Sequence, residues 1–549
     1  MLCLLFVPVS GWFQITEVYP DSFLKGDPDE YLVLSGTGDL TDIEIGDGEG
    51  SLSFPTGAQS GGSVIIARDA EAYKGFFGSC PDYELVGKDP SVPDMIASGR
   101  FQLANAKDEL YLTLKGQTLQ NLSWPSVFRP RKGQIHLIGP DGKWDERVLM
   151  AGASRFQPET YNQVSGTAFV SPDCSRAMLE DVIRSSRIEL LVNIYEFTDP
   201  GFTDLICEAS GRGVRVSVLI EGGPVGGITP EELAVIARLG SAGIPVFAMA
   251  GTGEDHAPYR FNHAKYIVID GERLFLTTEN FKAHSFPPKG LAGNRGWGVI
   301  LSSRDLAGYF SRVFHEDMNG PGVREVEGKD GVIPPYSAEP YRVSFAPIQV
   351  TAESVTPVLA PDTTGLILPL IQNTSRRLWI EEAYIKHWSG GKKNPYLEAA
   401  VEAARRGVDV RILLDSYYYN TEDEADNDEI VREITGIATR ENIPLQARMV
   451  DLDNTGLLKI HAKGVIADDS VFISSINWNE NSPVFNREAG LIIRGSAITS
   501  YFASVFERDW QGVRATSSES RRGYDYGKIT AVAGVILFLL VLSWWRHRQ

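Results

Sequence analysis

This sequence is poorest in cysteine and in surplus positive charge. Four cysteines (Cys3, Cys80, Cys174 and Cys207) are scattered through 549 residues. None has the C-x2-C spacing of a zinc site, and four thiols over this length make no disulfide framework. At most one bridge is possible, with Cys174 and Cys207 the best-placed pair. Lysine and arginine number 52 against 71 acidic residues, a formal net charge of −19. Such a chain has no general attraction for nucleic acid or anionic lipid, so a polyanion would need a locally basic cleft. Long apolar runs are also scarce, and the two that occur lie at the ends. "MLCLLFVPVSG" (1–11) reads as a signal-peptide core, although it lacks the basic residues that usually precede one. "ITAVAGVILFLLVLSWW" (529–545) is uncharged, and its 17 residues would rise ~25 Å as a helix, close to the hydrocarbon thickness of a bilayer. Trp544, Trp545, Arg546 and Arg548 follow the aromatic-belt and positive-inside patterns. The expectation is one transmembrane helix over 528–546 behind a polar stalk at 513–527. The C-terminus would be cytoplasmic, with the bulk of the chain outside the cell membrane. Asn121 and Asn373 would then be glycosylation acceptors.

A chain of this length holds several domains. Residues 12–150 read as an all-β sandwich, because short apolar or alternating runs such as "EYLVLSG", "SVIIARD" and "DELYLTLK" are separated by Gly, Asp and Pro clusters. Between Glu17 and Glu49 many acids surround one lysine, Lys25, which reads as a solvated acidic face. From about 165 the pattern becomes alternating β and α, and after 365 it starts again. "AARRGVDVRILLD" repeats "ASGRGVRVSVLIE", "HAKGVIAD" repeats "HAKYIVID", and "NREAGLIIRGSAITSYFASVFERDW" repeats "NRGWGVILSSRDLAGYFSRVFHEDM". This is a duplicated α/β domain, at 165–320 and 340–512, joined by a Pro/Gly-rich linker.

The repeat carries the chemistry. In "HAKYIVID" His263 and Lys265 share a strand face, because side chains alternate with period two. Asp270 falls at the strand end, where Asp-Gly signals a turn. His461, Lys463 and Asp468 repeat the arrangement. Lysine is a poor metal ligand at neutral pH, so this is no metal site. Two imidazoles with two ammonium groups suit a phosphoryl group: the lysines neutralise its oxygens, one imidazole attacks phosphorus and the other protonates the leaving oxygen. "TTEN" brings Thr278 and Asn280 back on the next strand and "SSIN" brings Ser475 and Asn477, all suited to binding the same oxygens.

Both copies complete the H-x-K-x4-D signature, and the chain resembles the phospholipase D superfamily over about 165–512. The resemblance implies two halves facing across one cleft, a covalent phosphohistidine, no metal or other cofactor, and a monomer sufficient for an active site. Carried over by position, it implies His263 and His461 as the catalytic pair and Lys265 and Lys463 as phosphate clamps. Asn280, Asn477, Thr278 and Ser475 would bind substrate, and Asp270 and Asp468 would have structural roles. Threonines or serines stand where Gly-Ser is usual. The family also has an acid downstream of each motif. Glu488 in "NREAG" fits, whereas "NRGWG" has Gly296 there. This predicts unequal histidines, with His263, backed by Glu488, as nucleophile and His461 as general acid. Asn294-Arg295 and Asn486-Arg487 also repeat, each arginine suggesting a salt bridge within its own half. The N-terminal run "ITEVYPDSFLKGDPDEYLVL" resembles the lamin tail domain, an immunoglobulin-like sandwich. The acidic, surface-tethered layout resembles archaeal membrane-anchored relatives.

The substrate implied is a phosphodiester. Tethering and the lack of a basic surface favour phospholipid head groups. A metal-independent surface nuclease shares the mechanism, and Tyr417, Tyr418 and Tyr419 could stack a base. A catalytically weak binding protein is the third reading.

Overall fold

The alternating strands and helices beyond residue 160 assemble a single sheet of fifteen strands. The computed structural model describes residues 13–124, 131–139, 141–145, 147–250, 257–421 and 426–512. At the middle of the sheet Tyr161–Ser171 pairs antiparallel with Ile348–Ala360. From there the two halves run outward in matching order. The first half continues through Gly296–Ser302, Arg273–Thr277, Tyr266–Ile269, Glu189–Ile194, Arg215–Glu221 and Val246–Met249. The second continues through Glu488–Arg494, Ser470–Ser474, Lys463–Ala467, Arg377–Glu382, Asp409–Leu414 and Leu445–Met449. The short strand Val323–Glu325 closes the outer edge of the first half.

The local sequence explains the elements. The parallel strands are nearly continuous apolar runs, as sheets covered on both faces require. Helix Pro230–Ser241 starts where the Thr229 hydroxyl accepts the Glu232 N–H at 3.3 Å, with proline in its first turn. Helix Arg304–Met318 is capped by Ser303 and buries Leu306, Phe310, Val313, Phe314 and Asp317 at helical spacing. Its twin, Ser496–Gln511, buries Phe502, Val505, Phe506 and Asp509. These two helices form the core between the halves, where Trp297 stacks on Phe502 with centroids 4.7 Å apart. Burying each such side chain stabilises by about 1.5–3 kcal/mol. A β-carbon at Gly464 would overlap the Trp297 ring, so the glycine permits this packing.

The N-terminal region forms sheets of six and five strands around a core containing Ile15, Leu34, Leu110 and Trp124. It is not wholly β. Helix Ala70–Phe77 is capped by Asp69, which accepts the Ala72 N–H at 3.1 Å, and ends on the left-handed Gly78. The acidic segment is also less solvated than its composition suggests. Asp29, Glu30 and Asp47 are buried, and Asp47 accepts the N–H groups of Glu49, Gly50 and Gln102.

The membrane expectations are corrected. No helix among the described residues is long and apolar enough to cross a membrane. The transmembrane helix expected over 528–546 and the single-pass, cell-membrane localisation built on it are withdrawn; 1–11 and 513–546, on which the signal-peptide, stalk and anchor expectations fell, lie outside the described residues. Cys174 and Cys207 are free thiols. The inter-half linker packs closely: a β-carbon at Gly328 would overlap the backbone of helix Pro230–Ser241 at Ala237.

Candidate active site

Each histidine is placed by a carboxylate from its own half and a carbonyl from the other. Glu221, at the end of Arg215–Glu221, accepts the Asn262 N–H at 2.5 Å. Asp415, just beyond Asp409–Leu414, accepts the Ile460 N–H at 2.7 Å. Both therefore grip the residue before a histidine. The next N–H crosses over. His263 donates to the Arg487 carbonyl at 2.8 Å, and His461 to the Arg295 carbonyl at 2.9 Å. The two motifs thus meet where the halves join.

The side chains cross in the same way. His263 Nδ1 lies 2.8 Å from Glu488 Oε2, and His461 Nδ1 lies 3.0 Å from Glu279 Oε1. A carboxylate only accepts, so each Nδ1 carries the proton and each Nε2 is left available. Both acids are fully buried. Asn294 donates to Glu279 at 3.1 Å, and Asn486 donates to Glu488 at 3.0 Å. The second acid is therefore present, and the inequality expected from Gly296 is corrected. Glu279 occupies the space, because a β-carbon at 296 would overlap its side chain. The signal was in the paired segments "TTEN" and "SSIN": where the second half has Ile476 and Glu488, the first has Glu279 and Gly296.

Electrostatics still separates the histidines. Burial lowers the His263 pKa, with Glu488 opposing and Lys265 adding to the fall. Burial pushes His461 well below its ordinary value, followed by Lys463, Lys459, Lys265 and His263. His461 is therefore the more firmly neutral imidazole. For Glu488, burial raises the pKa, but His263 and Lys265 outweigh it and hold the carboxyl below its usual value.

The lysines are fully buried beside their own histidines. Lys265 Nζ donates to the His263 carbonyl at 2.6 Å, and Lys463 Nζ to the His461 carbonyl at 2.8 Å. Burial lowers Lys265 to about 7 and Lys463 to about 8, against the pull of Glu488 on the first and Glu279 on the second. Asn280 donates to Glu196 at 2.9 Å, and Lys282 reaches the same carboxylate at 2.5 Å. The amide oxygens of Asn280 and Asn477 have no hydrogen-bond partner among the described residues. The Thr278 hydroxyl accepts the Trp297 N–H at 3.1 Å, and the Ser475 hydroxyl accepts the Ala489 N–H at 3.0 Å, so both are engaged by the adjoining strand. Asp270 and Asp468 lie away from the cleft, at left-handed turn positions. Asp270 accepts the N–H groups of Arg187, Ile188 and Glu189, and Asp468 those of Ser375, Arg376 and Arg377. Each aspartate ties the hairpin to the start of the neighbouring strand.

The arginines do more than pair within their halves. Arg295 binds Asp173 at 2.8 Å in its own half and Asp509 at 2.6 Å in the other. Arg487 binds Asp362 at 3.1 Å in its own half and Asp317 at 2.8 Å in the other. A surface groove of about 730 Å³, lined by His387, Arg405 and Glu433 among others, contains neither motif.

The sequence model of a family described as "Cardiolipin synthase, PLD-like domain" matches residues 179–318 and 367–510, just over half of the 549 residues. A curated relative, "Probable phospholipase D" of Caenorhabditis elegans, is 26% identical over 119 residues, 20% of this chain and 22% of that protein. The chain thus matches about a fifth of that relative's length. Among solved structures, the phosphatidylserine synthase of Haemophilus influenzae has 15% identity and a TM-score of 0.45, covering 70% of this chain and 94% of its own. The phospholipase D family member Nuc of Salmonella typhimurium has 20% identity and a TM-score of 0.26, covering 31% of this chain and all of its own.

Proposed function

Since the chain belongs to the cardiolipin synthase, PLD-like domain family, we propose that it cleaves phosphodiesters by covalent catalysis at the joined motifs. The observation that carries this is the crossed arrangement, in which each histidine is hydrogen-bonded to a buried acid of the opposite half. Reversing the roles expected from the sequence, His461 Nε2, on the more firmly neutral imidazole, attacks phosphorus, forming an N–P bond while the P–O bond to the leaving alcohol breaks. His263, protonated, gives its Nε2 proton to that oxygen. The neutral His263 then takes a proton from water, whose oxygen attacks the phosphohistidine and releases a phosphomonoester and free His461. An alcohol in place of water would make the same step a transfer. Lys265 and Lys463 neutralise the phosphoryl oxygens, with Asn280 and Asn477 as further contacts, Thr278 and Ser475 bracing the strands behind them, and Asp270 and Asp468 as scaffold. No step calls for a metal.

Phospholipid-type diesters are the substrate class we favour, because a net charge of −19 disfavours a long polyanion. A single-stranded nucleic acid is the second reading. It is supported by Tyr418 and Tyr419, which stack at 4.4 Å and are 45% and 72% exposed. The N-terminal sandwich is read as a lamin-tail-like binding or spacing module. To test the function, the full chain is incubated with EDTA and either phospholipid vesicles or single- and double-stranded DNA. Release of phosphatidate is expected. DNA cleavage alone would select the second reading, and turnover of neither would refute catalysis.

A further inference from the structure

The halves match at the histidines, lysines and acids, so an unsymmetrical diester must be oriented where they differ. One difference lies two residues before each histidine. Lys459-Ile460-His461-Ala462-Lys463 alternates three basic side chains, whereas Phe261-Asn262-His263-Ala264-Lys265 begins with an aromatic ring. Phe261 packs edge-on to Tyr195 with centroids 6.3 Å apart, and Tyr195 packs edge-on to His263 at 4.7 Å. Rings therefore wall the site beside His263.

The side beside His461 is basic. Lys459 is partly exposed and makes no ion pair with any described residue. Its carbonyl accepts the Arg295 N–H at 2.9 Å, and the preceding Asn294 donates its N–H to the His284 carbonyl at 2.8 Å. These bonds bring Lys459 and His284 together. Burial, then Lys459 and Lys282, lower the His284 imidazole to about 4 against the opposing pull of Glu279, so the imidazole is neutral. Lys282 is balanced by Glu196 at 2.5 Å. Lys459 has no direct ion pair among the described residues; the buried Asp415 carboxylate attracts it, but that carboxylate is taken up by the Ile460 N–H and by Asn420.

We infer that Lys459, with Lys282 and His284, forms a second anion subsite beside His461, which receives an additional phosphate carried on one arm of the scissile diester. The uncharged arm lies against Tyr195 and Phe261. The inference rests on the phosphodiesterase reading and refines its substrate class to diesters with a further phosphate on one side only. That phosphate could belong to a phosphorylated lipid head group or to a neighbouring nucleotide, and the two sources call for separate assays.

The full chain is assayed on the dinucleotides TpT, pTpT and TpTp, and on dihexanoyl phosphatidylglycerol with and without a terminal phosphate. In whichever series is cleaved, an added phosphate should raise kcat/KM about tenfold, in the nucleotide series for only one of the two isomers. Lys459→Met should bring that ratio close to one, and Lys459→Arg should retain it, which also controls for folding. Cleavage with ratios near one, equal gains for both isomers, or an unchanged ratio in Lys459→Met would overturn the subsite and leave the phosphodiesterase reading standing. No cleavage of any of these diesters would overturn both.

Discussion

The two halves reach the same chemistry by different routes. The second backs His263 with Glu488, on its last strand before the helix. The first backs His461 with Glu279, at the end of the hairpin, and leaves glycine where its twin has the acid. Only one carboxylate fits in that space, and either position can supply it. The backing also crosses over, so neither half contains a complete histidine–acid pair. What the duplication maintains is the pair, not the residue at a given column.

The largest test of this equivalence is removal of a histidine. His263→Ala and His461→Ala should each lower kcat/KM by about 10⁴-fold on a diester with a poor leaving group. A p-nitrophenyl diester separates their roles, because its leaving group needs no acid. His263→Ala should still give a burst of p-nitrophenol and a phosphoenzyme stable to alkali, whereas His461→Ala should give neither. The reverse pattern would exchange the roles. Next come the acids. Glu279→Gln and Glu488→Gln should each cost about 10²–10⁴-fold, by misorienting the imidazole, with the two losses within tenfold of each other. Glu279→Ile should be as damaging, and adding Gly296→Glu should restore part of the activity by moving the acid to its twin's position. A double variant no better than Glu279→Ile alone would mean that the two positions are not interchangeable.

Below these lies stability. Arg295 and Arg487 are buried and each holds two aspartates, one from each half. Replacing either by methionine leaves buried carboxylates without their counter-charge, and about 3–5 kcal/mol of stability should be lost in urea unfolding. If each arginine were only an ordinary surface pair, the loss would be under about 1 kcal/mol.

Much of this was legible in the sequence, and the failures share a physical cause. Period-two spacing put His263 with Lys265 on one face and Asp270 at the turn, and the repeat revealed the two matching halves. Glu279 gives no signal in the column of Glu488; the compensating Ile476 and Gly296 become informative only when two neighbouring strands are read together. Arg295 pairs within its half as expected, with Asp173, but its closest contact is Asp509, 214 residues away. The pseudo-twofold packing that brings them together leaves no trace in local spacing. Helix Ala70–Phe77, by contrast, carries a readable Asp69 cap inside a stretch whose composition reads as all-β.

The smallest effect concerns the lysines, where the halves differ in degree. Burial lowers Lys265 to about 7 and Lys463 to about 8, and only the protonated forms can neutralise phosphate. On the p-nitrophenyl diester, where the His263 proton is not needed, log kcat/KM should begin to fall as pH rises past about 7. It should steepen above about 8, because both ammonium charges are then being lost. Stability should move the other way. Unfolded lysine holds its proton to about 10.4, so the unfolded chain binds more protons than the fold over this range, and these two groups favour the folded state more as pH rises. Activity that declines while the melting temperature holds or climbs is therefore the signature of two buried ammonium groups. Activity and melting temperature falling together would point to unfolding, and a flat profile to pH 9 would mean that the lysines keep ordinary values and are more solvated than their burial implies.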